Sequence, residues 1–464
     1  MIDKSILLEV IDTALSEGGD YAEVFVEKSY LNSIKMIGGD VEEAKSGADY
    51  GLGLRIFQGF NGIYAYTNNT ERDNLLKLAR NTSKALKAKR VKSPDSLEPA
   101  REMNNHLIKI RPDKVKQADK LDLMKRANQV ASNYDQSIKQ TVINYFDKNQ
   151  KITFINSEGD YVNDERVRTR LAISAVASIG GEKQTGFYAP GAHMGFEFYD
   201  TIDIEEYAEE AARIAATMIK ADYAPAGRMP VVIDNGFGGV IFHEACGHSL
   251  EATSVAKKTS VFADRVGDKI ASEVVTAIDD GTIPNAWGSQ NFDDEGIPMQ
   301  KNVLIKDGIL QGYLVDRLNG RRMGAEPTGS GRRESYKYAP TSRMTNTFIA
   351  PGDSSKEEII NSVDYGLYAS KMGGGSVDPS TGQFNFNVQE GYMIRDGKIA
   401  EPVRGATLIG KGEEILKKID MVGDNLAHEQ GMCGSMSGAV PANVGQPMIR
   451  VSELTVGGRE GGQS

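Results

Sequence analysis

Two imidazoles and a carboxylate stand close together in the run His243-Glu244-Ala245-Cys246-Gly247-His248. Imidazole nitrogens bind zinc, and a catalytic zinc takes three protein ligands while keeping one position for water. Zinc lowers the pKa of that water to about 7 and polarises a carbonyl oxygen. A carboxylate alongside can take the water proton and deliver it to a departing amine. Neither a structural site nor a transport site needs that carboxylate, so Glu244 points to hydrolysis.

The two histidines are five residues apart. At roughly 100° per residue an ideal helix would set His248 about 140° round from His243, too far for joint chelation. A local widening with i→i+5 bonding would bring them together, and Gly247 is the residue that best tolerates such a distortion. A third ligand must come from elsewhere. Cys433, in the glycine-bracketed run Gly431-Met432-Cys433-Gly434-Ser435, is a better ligand candidate than packing residue. Cys246 reads as a small buried hydrophobe. Glu251 is a candidate orienting partner of His248 or an alternative ligand. His428 is held in reserve, although it reads as an exposed loop histidine, as do His106 and His193.

The elements that must hold this motif follow from periodicity. Val231 to Ile233 is a strand run leading into Asn235-Gly236-Phe237-Gly238-Gly239, a turn that can start a helix, and Val240, Ile241 and Phe242 then supply its buried side. Upstream, a helix over 2–15, strands at 22–28, 49–58 and 62–66, and a helix over 71–89 make an N-terminal α+β domain, residues 1–90. Pro94, Pro99 and Pro112 mark 91–112 as a linker. A middle α+β domain, 113–223, has a helix at 114–134, strands at 137–146, 151–156 and 166–178, and a closing helix at 204–220. Ser157-Glu158-Gly159-Asp160 is a natural hairpin turn within it. Residues 224–464 are denser in glycine, with short strands at 303–306, 313–316, 385–388, 391–395 and 448–451. The fold class is therefore α+β: small N-terminal α/β units, then a larger β-rich, barrel-like C-terminal domain carrying the metal-binding helix.

The net charge of −10 argues against nucleic acid as a direct ligand. No apolar run approaches the ~20 residues that span a bilayer. Asp3, Glu9, Asp12 and Glu17 interrupt any leader-like core, and only two cysteines occur, which fits a reducing compartment. A cytoplasmic location is expected, with no membrane partner.

The run from Phe242 to Ala252 resembles the active-site helix of the TldD/PmbA metalloprotease family. So do Asn291-Phe292-Asp293-Asp294-Glu295-Gly296-Ile297-Pro298, Arg332-Arg333-Glu334-Ser335-Tyr336, Arg343-Met344-Thr345-Asn346-Thr347, Gly373-Gly374-Gly375-Ser376-Val377-Asp378-Pro379 and Glu401-Pro402-Val403-Arg404-Gly405. The resemblance covers nearly the whole chain. It implies the TldD-like catalytic branch, because the His-Glu-x-x-x-His motif is whole. It implies zinc held by His243, His248 and Cys433, with Glu244 as general base, and cleavage of unfolded peptides. It also carries the older label of modulator of DNA gyrase, and implies a homodimer or a heterodimer with a TldE/PmbA-like chain.

Two further roles are expected on this basis. The strand bearing Asn385 and Asn387 would form part of a floor on which an extended peptide pairs. Arg332, Arg333 and Tyr336 would line the cavity and stabilise an oxyanion, or else join a structural ion-pair network with Glu334 or Glu295. Two other readings compete: a non-catalytic regulator that binds gyrase or an antitoxin, and a metal-dependent amidase acting on small molecules.

Overall fold

Alternating apolar and polar residues in the first half of the chain build one antiparallel sheet. The computed structural model describes residues 2–86, 94, 96–378 and 381–458. Tyr21–Ile37 (β1), Asp40–Gln58 (β2), Asn61–Thr67 (β3), Ile138–Asn156 (β4), Tyr161–Ile179 (β5) and Glu182–Tyr188 (β6) lie side by side in the order β3-β2-β1-β4-β5-β6. Pairing of β1 with β4, from Glu23↔Asn156 to Ile37↔Val142, crosses the line between the units expected at 1–90 and 113–223. The last residues of the helix expected over 71–89 and the first of the linker, 87–93 and 95, lie outside the described residues.

Strand β4 runs unbroken where two strands are expected. Its polar middle does not interrupt it because two of the buried polar side chains there, Asp147 and Gln150, have partners. Lys120 Nζ lies 2.6 Å from Asp147 Oδ2, and Gln150 Nε2 donates to Glu27 Oε1 at 2.9 Å. The turn into β5 is the expected one, with Gly159 at φ +99°.

The two faces of this sheet have different occupants. Lys4–Ala14 (α1), Arg72–Ser83 (α2), Gln117–Asn133 (α3) and Ile204–Met218 (α4) cover one face. Val24 and Val26 pack there with Leu7, Val10 and Leu75, while Ile143, Leu171 and Ile173 meet Leu123, Met124 and Ala208. Because side chains alternate along a strand, Phe25, Ile152 and Phe154 point the other way. They pack on Phe292 and Tyr336 of the C-terminal half. Buried charge joins the same seam. Glu23 is shared by Arg55 (2.9 Å) and Arg333 (3.0 Å), Arg55 also pairs with Glu295, and Arg166 pairs with Asp164 and Asp294. Removing one member would strand a buried charge, at a cost of about 3–5 kcal/mol.

Two larger sheets and a two-stranded one, Gly331–Arg332 with Thr341–Ser342, form the C-terminal half. The labelled strands are Gly227–Ile233 (β7), Ala277–Asp280 (β8), Lys301–Lys306 (β9), Ile309–Leu310 (β10), Asn346–Ile349 (β11), Tyr365–Val377 (β12), Gln383–Arg395 (β13), Thr407–Lys411 (β14), Ala427–Ser435 (β15), Gly438–Gln446 (β16) and Ile449–Gly457 (β17). The neighbours β12-β7-β17-β14-β13 close on themselves through β12–β13 pairing, giving a five-stranded barrel. The second sheet runs β10-β9-β8-β11-β16-β15, with β15 at its edge. The strand expected at 313–316 is absent: Leu314 makes only an isolated bridge to Glu251. Among the described residues no helix is long and apolar enough to cross a membrane.

Candidate metal centre

Strand β7 leads through the 3-10 turn Gly236–Gly239 into the helix Val240–Ala245 (α5). A Cβ on Gly239 would lie 2.4 Å from the Gly445 carbonyl oxygen, so the helix start rests directly on the β16 backbone. Val240, Ile241, Phe242 and Ala245 enter the main C-terminal core. His243 is therefore held on a short, well-anchored element.

The expected widened turn does not occur. The α-helix ends at Ala245, Cys246 takes φ −132° and ψ −46°, and a 3-10 turn, Gly247–Leu250, follows. This break at Cys246 carries His248 back toward His243. Gly247 has another purpose than the one expected: a Cβ there would lie 2.2 Å from Met344 Sδ. Close packing, not a distorted dihedral, calls for glycine.

Cys433 meets the two histidines from β15. It is not in a loop: it is a strand residue, 5% exposed, packed with Val440 and Ala442. Its Sγ lies 3.3 Å from His243 Nε2 and 3.5 Å from His248 Nε2, and the three ligand atoms lie within 4.8 Å of one another. For tetrahedral zinc with bonds of 2.0–2.3 Å, ligand atoms stand roughly 3.3–3.7 Å apart, so this donor set fits the ion.

The surroundings orient the donors. His248 Nδ1 lies 3.2 Å from Glu251 Oε1, which leaves Nε2 turned toward Cys433. The Cys433 carbonyl accepts a hydrogen bond from Arg343 Nη2, and Arg343 Nη1 also donates to Ser437 Oγ and Gly438 O, both at 2.9 Å. Local sequence assigns Arg343 no task, since its partners, two backbone carbonyls and a serine hydroxyl, are remote in the chain. Glu244 is partly exposed, with Oε2 3.7 Å from His248 Nε2. Among the described residues, His243 Nδ1 is buried without a hydrogen-bond partner.

Electrostatics within the donor cluster favour ligand-like charge. Burial alone would raise the Cys433 thiol pKa, but the charge and hydrogen bond of His243, with those of His248, hold it well below the usual range. Burial disfavours the His248 imidazolium, yet the Glu251 charge and the hydrogen bond to Cys433 raise its pKa well above the ordinary value. Cys246 is fully buried in the apolar core, which pushes its thiol pKa up.

Sequence profiles of three consecutive PmbA/TldA metallopeptidase domains match this chain: domain 1 over residues 22–86, the central domain over 110–219 and the C-terminal domain over 226–458. The chain belongs to the PmbA/TldD metallopeptidase family. A metalloprotease TldD homolog of Buchnera aphidicola subsp. Acyrthosiphon pisum is 36% identical, over 98% of this chain and 96% of its own length. A zinc metalloprotease TldD homolog of Saccharolobus solfataricus is 27% identical over 97% and 100%. In fold the chain is similar to a candidate modulator of a DNA gyrase from Thermotoga maritima, with a TM-score of 0.81, 21% identity and coverage of 98% and 99%. The chain is thus a metallopeptidase, a hydrolase of peptide bonds.

Other residues expected at the centre of this PmbA/TldD chain lie elsewhere. Arg332, Arg333 and Tyr336 are buried and hydrogen-bonded within the protein, so they do not line an open cavity. Arg332 donates to the carbonyls of Met344 (2.5 Å) and Pro441 (2.7 Å), bracing the backbone behind the cluster. Arg333 donates to Asp294 O at 2.8 Å as well as pairing with Glu23, and Tyr336 Oη donates to Asp49 Oδ1 at 2.9 Å. These two form part of the seam to the N-terminal sheet.

Asn385 and Asn387 are exposed on β13, but their strand cannot receive a peptide by main-chain pairing. Barrel closure uses both edges there: Asn385 pairs with Ser376 on one side and Ile409 on the other. The three histidines read as exposed are not. His106 and His193 are buried and stacked at 4.3 Å, and His428 packs edge-on to Phe348 at 4.9 Å.

Proposed function

We propose that His243, His248 and Cys433 hold a single zinc ion and that Glu244 is the general base of a peptidase acting on unfolded peptides. The convergence of two imidazole Nε2 atoms and one thiol sulfur at zinc-like spacings carries this reading. Zinc bound there supplies Lewis acidity toward a carbonyl oxygen and lowers the pKa of a nearby water.

The chain's own residues do the rest. Glu244 stands at the partly exposed side of the cluster, where its carboxylate can take a proton from water and hand it to the leaving amine. Glu251 keeps the His248 proton on Nδ1, and Arg343 fixes the carbonyl of Cys433. Strand β15 is an edge strand, and Met432 and Gly434 flank the thiol as exposed residues. Beside the thiol an extended peptide can add to that edge by main-chain hydrogen bonds, which selects unfolded chains over particular side chains; farther along, Arg170 Nη2 donates to Gln430 O and Trp287 Nε1 to Gly431 O, both at 2.8 Å, so the open stretch is short. The protein acts in the cytoplasm as a homodimer or with a TldE/PmbA-like chain.

The test is metal removal and return. Chelation should abolish cleavage of an unstructured casein fragment, and one equivalent of zinc per chain should restore it. Cleavage that persists at zinc contents well below one would overturn the assignment.

A further inference from the structure

Strand β15 has an edge that is open beside Cys433 and closed a short way off. Antiparallel partners alternate between exchanging main-chain hydrogen bonds and turning those groups outward. Asn443 N donates away from the hairpin, to Thr345 O, so Asn443 and its partner Gln430 are an outward pair. By alternation Met432 and Gly434, on either side of Cys433, also turn their main-chain groups to the free edge. Both residues are exposed. At Gln430 the edge is closed, because its carbonyl accepts Arg170 Nη2 at 2.8 Å. Trp287 Nε1 holds the next carbonyl, Gly431 O, and Arg170 Cζ lies 5.4 Å from the centroid of the Trp287 ring.

The group that closes the edge carries a charge that nothing nearby balances. Arg170 comes from β5 of the N-terminal sheet, and its stem packs on Gly191, where a Cβ would lie 2.9 Å from Arg170 Cγ. Nε donates to Ala189 O at 3.0 Å, so the guanidinium is fixed at two points. Among the described residues Nη1 has no hydrogen-bond partner, and it is not sealed from solvent. Burial pushes the pKa of the group down to about 10, with no neighbouring carboxylate to offset it. A largely buried cation ordinarily has a counter-charge. The N-terminal sheet thus presents a rigid, unpaired cation with one open nitrogen at the end of the edge beside Cys433.

We infer that Arg170 binds the free C-terminal carboxylate of the substrate peptide, so that the enzyme trims two or three residues from a chain end. The inference rests on the zinc and peptide readings proposed above. A peptide paired with Met432 and Gly434 cannot continue along the edge past Gln430, so one of its ends lies there. A terminal ammonium would be repelled by the Arg170 charge, whereas a carboxylate gains a charge-assisted hydrogen bond from Nη1. With its carboxyl end on the Gln430 side, the peptide runs antiparallel to β15. Gln430 and Cys433 are three positions apart, about 10 Å at roughly 3.3 Å per residue. That length holds two or three residues between the carboxylate and the bond at the cluster.

The experiment compares two unstructured decapeptides of one sequence, one ending in a free carboxylate and the other in an amide. Binding is read on the zinc-loaded full chain carrying Glu244→Gln, and the products of the parent chain are read by mass spectrometry. The free acid should bind roughly tenfold to a hundredfold tighter, the range for a hydrogen bond to a charged group. Its first products should lack two or three C-terminal residues. Arg170→Gln, which keeps a donor for Gln430 O but no charge, should bring the affinity ratio close to one. Arg170→Lys, which keeps the charge, should retain part of the preference. Equal binding of acid and amide by the parent site, or first cuts at internal bonds, would overturn the carboxylate anchor and leave the peptide reading standing. So would a preference that survives in Arg170→Gln. Neither binding nor cleavage of either peptide would overturn the anchor and the peptide reading together.

Discussion

His248 Nδ1 lies 3.2 Å from Glu251 Oε1, across the end of the 3-10 turn that follows the break at Cys246. The contact turns Nε2 toward the cluster, and a histidine whose Nδ1–H donates to a carboxylate keeps Nε2 available to a metal. Glu251→Ala should lower zinc affinity by about 10–100-fold, measured by competition with a chromophoric chelator. An unchanged affinity would show that packing alone orients the ring.

Glu244 contacts no donor atom closer than 3.7 Å, so it can change without dismantling the cluster. Glu244→Gln should retain a full equivalent of zinc by elemental analysis. Its kcat on an unstructured peptide should fall by about 10²–10⁴-fold. Undiminished turnover would rule out Glu244 as the base.

The two cysteines should separate cleanly. Cys433→Ser should weaken zinc binding, because a hydroxyl replaces the thiol that meets both histidines. Cys246→Ser should leave zinc affinity intact while lowering stability by about 1–3 kcal/mol, since it buries a hydroxyl in an apolar core. Chelator competition and urea unfolding on both variants check the pair. Equal loss of zinc in the two would contradict the assignment.

Gly247 and Met344 should be energetically coupled. Gly247→Ala drives a methyl into Met344 Sδ and should cost about 1–3 kcal/mol along with part of the zinc affinity. Met344→Ala, destabilising in itself, should remove that extra cost when combined with Gly247→Ala. Strict additivity in a double-mutant cycle would mean that the contact is relieved by other movements.

Acid should expose the buried histidines. Burial lowers the pKa of His106, His193 and His428, and the Arg168 charge lowers His193 further. Below about pH 6.5 the unfolded chain takes up protons that these folded residues refuse, so stability falls as pH drops through that value. In the zinc-free protein His248 has the opposite sign: its raised pKa adds stability at acid pH, lost as pH rises through the folded value. His193→Asn should therefore flatten the decline of thermal midpoint between pH 7 and 5 relative to the parent. A parallel decline in both proteins would assign the acid sensitivity elsewhere.

Much of this was readable in the residues, and the failures share one cause. The strand-turn-helix run from Val231 to Phe242 is local, and local patterns announced it. A break at Cys246 stands where a widened turn is expected, and the glycine beside it is required by Met344, almost a hundred residues later, whose sulfur fills the space a side chain at position 247 would need. Residues Asp147 to Gln150 looked like a strand end because their partners, Lys120 and Glu27, come from other elements. His106 and His193 are buried where each stacks on the other, a contact between distant parts of the chain that neither local stretch announces. Arg333 and Tyr336 leave two readings open, cavity lining or an ion-pair network with Glu334 or Glu295, for a similar reason: the carboxylates that claim them, Glu23 and Asp49, belong to the N-terminal sheet.

The distance along the chain between His248 and Cys433, 185 residues, sets a schedule for the enzyme. At 5–20 residues per second of synthesis, roughly 10–40 s separate the translation of the motif from that of the thiol. Strand β7, which leads into the motif helix, also waits for β17 before its barrel neighbours are complete. A growing chain therefore holds two histidines and a glutamate with nothing to bring them to a third donor. Such a nascent peptidase is surrounded by the extended polypeptide it is proposed to cleave, its own included, and under the proposed ligand set late delivery of one cysteine keeps it harmless until the fold has closed.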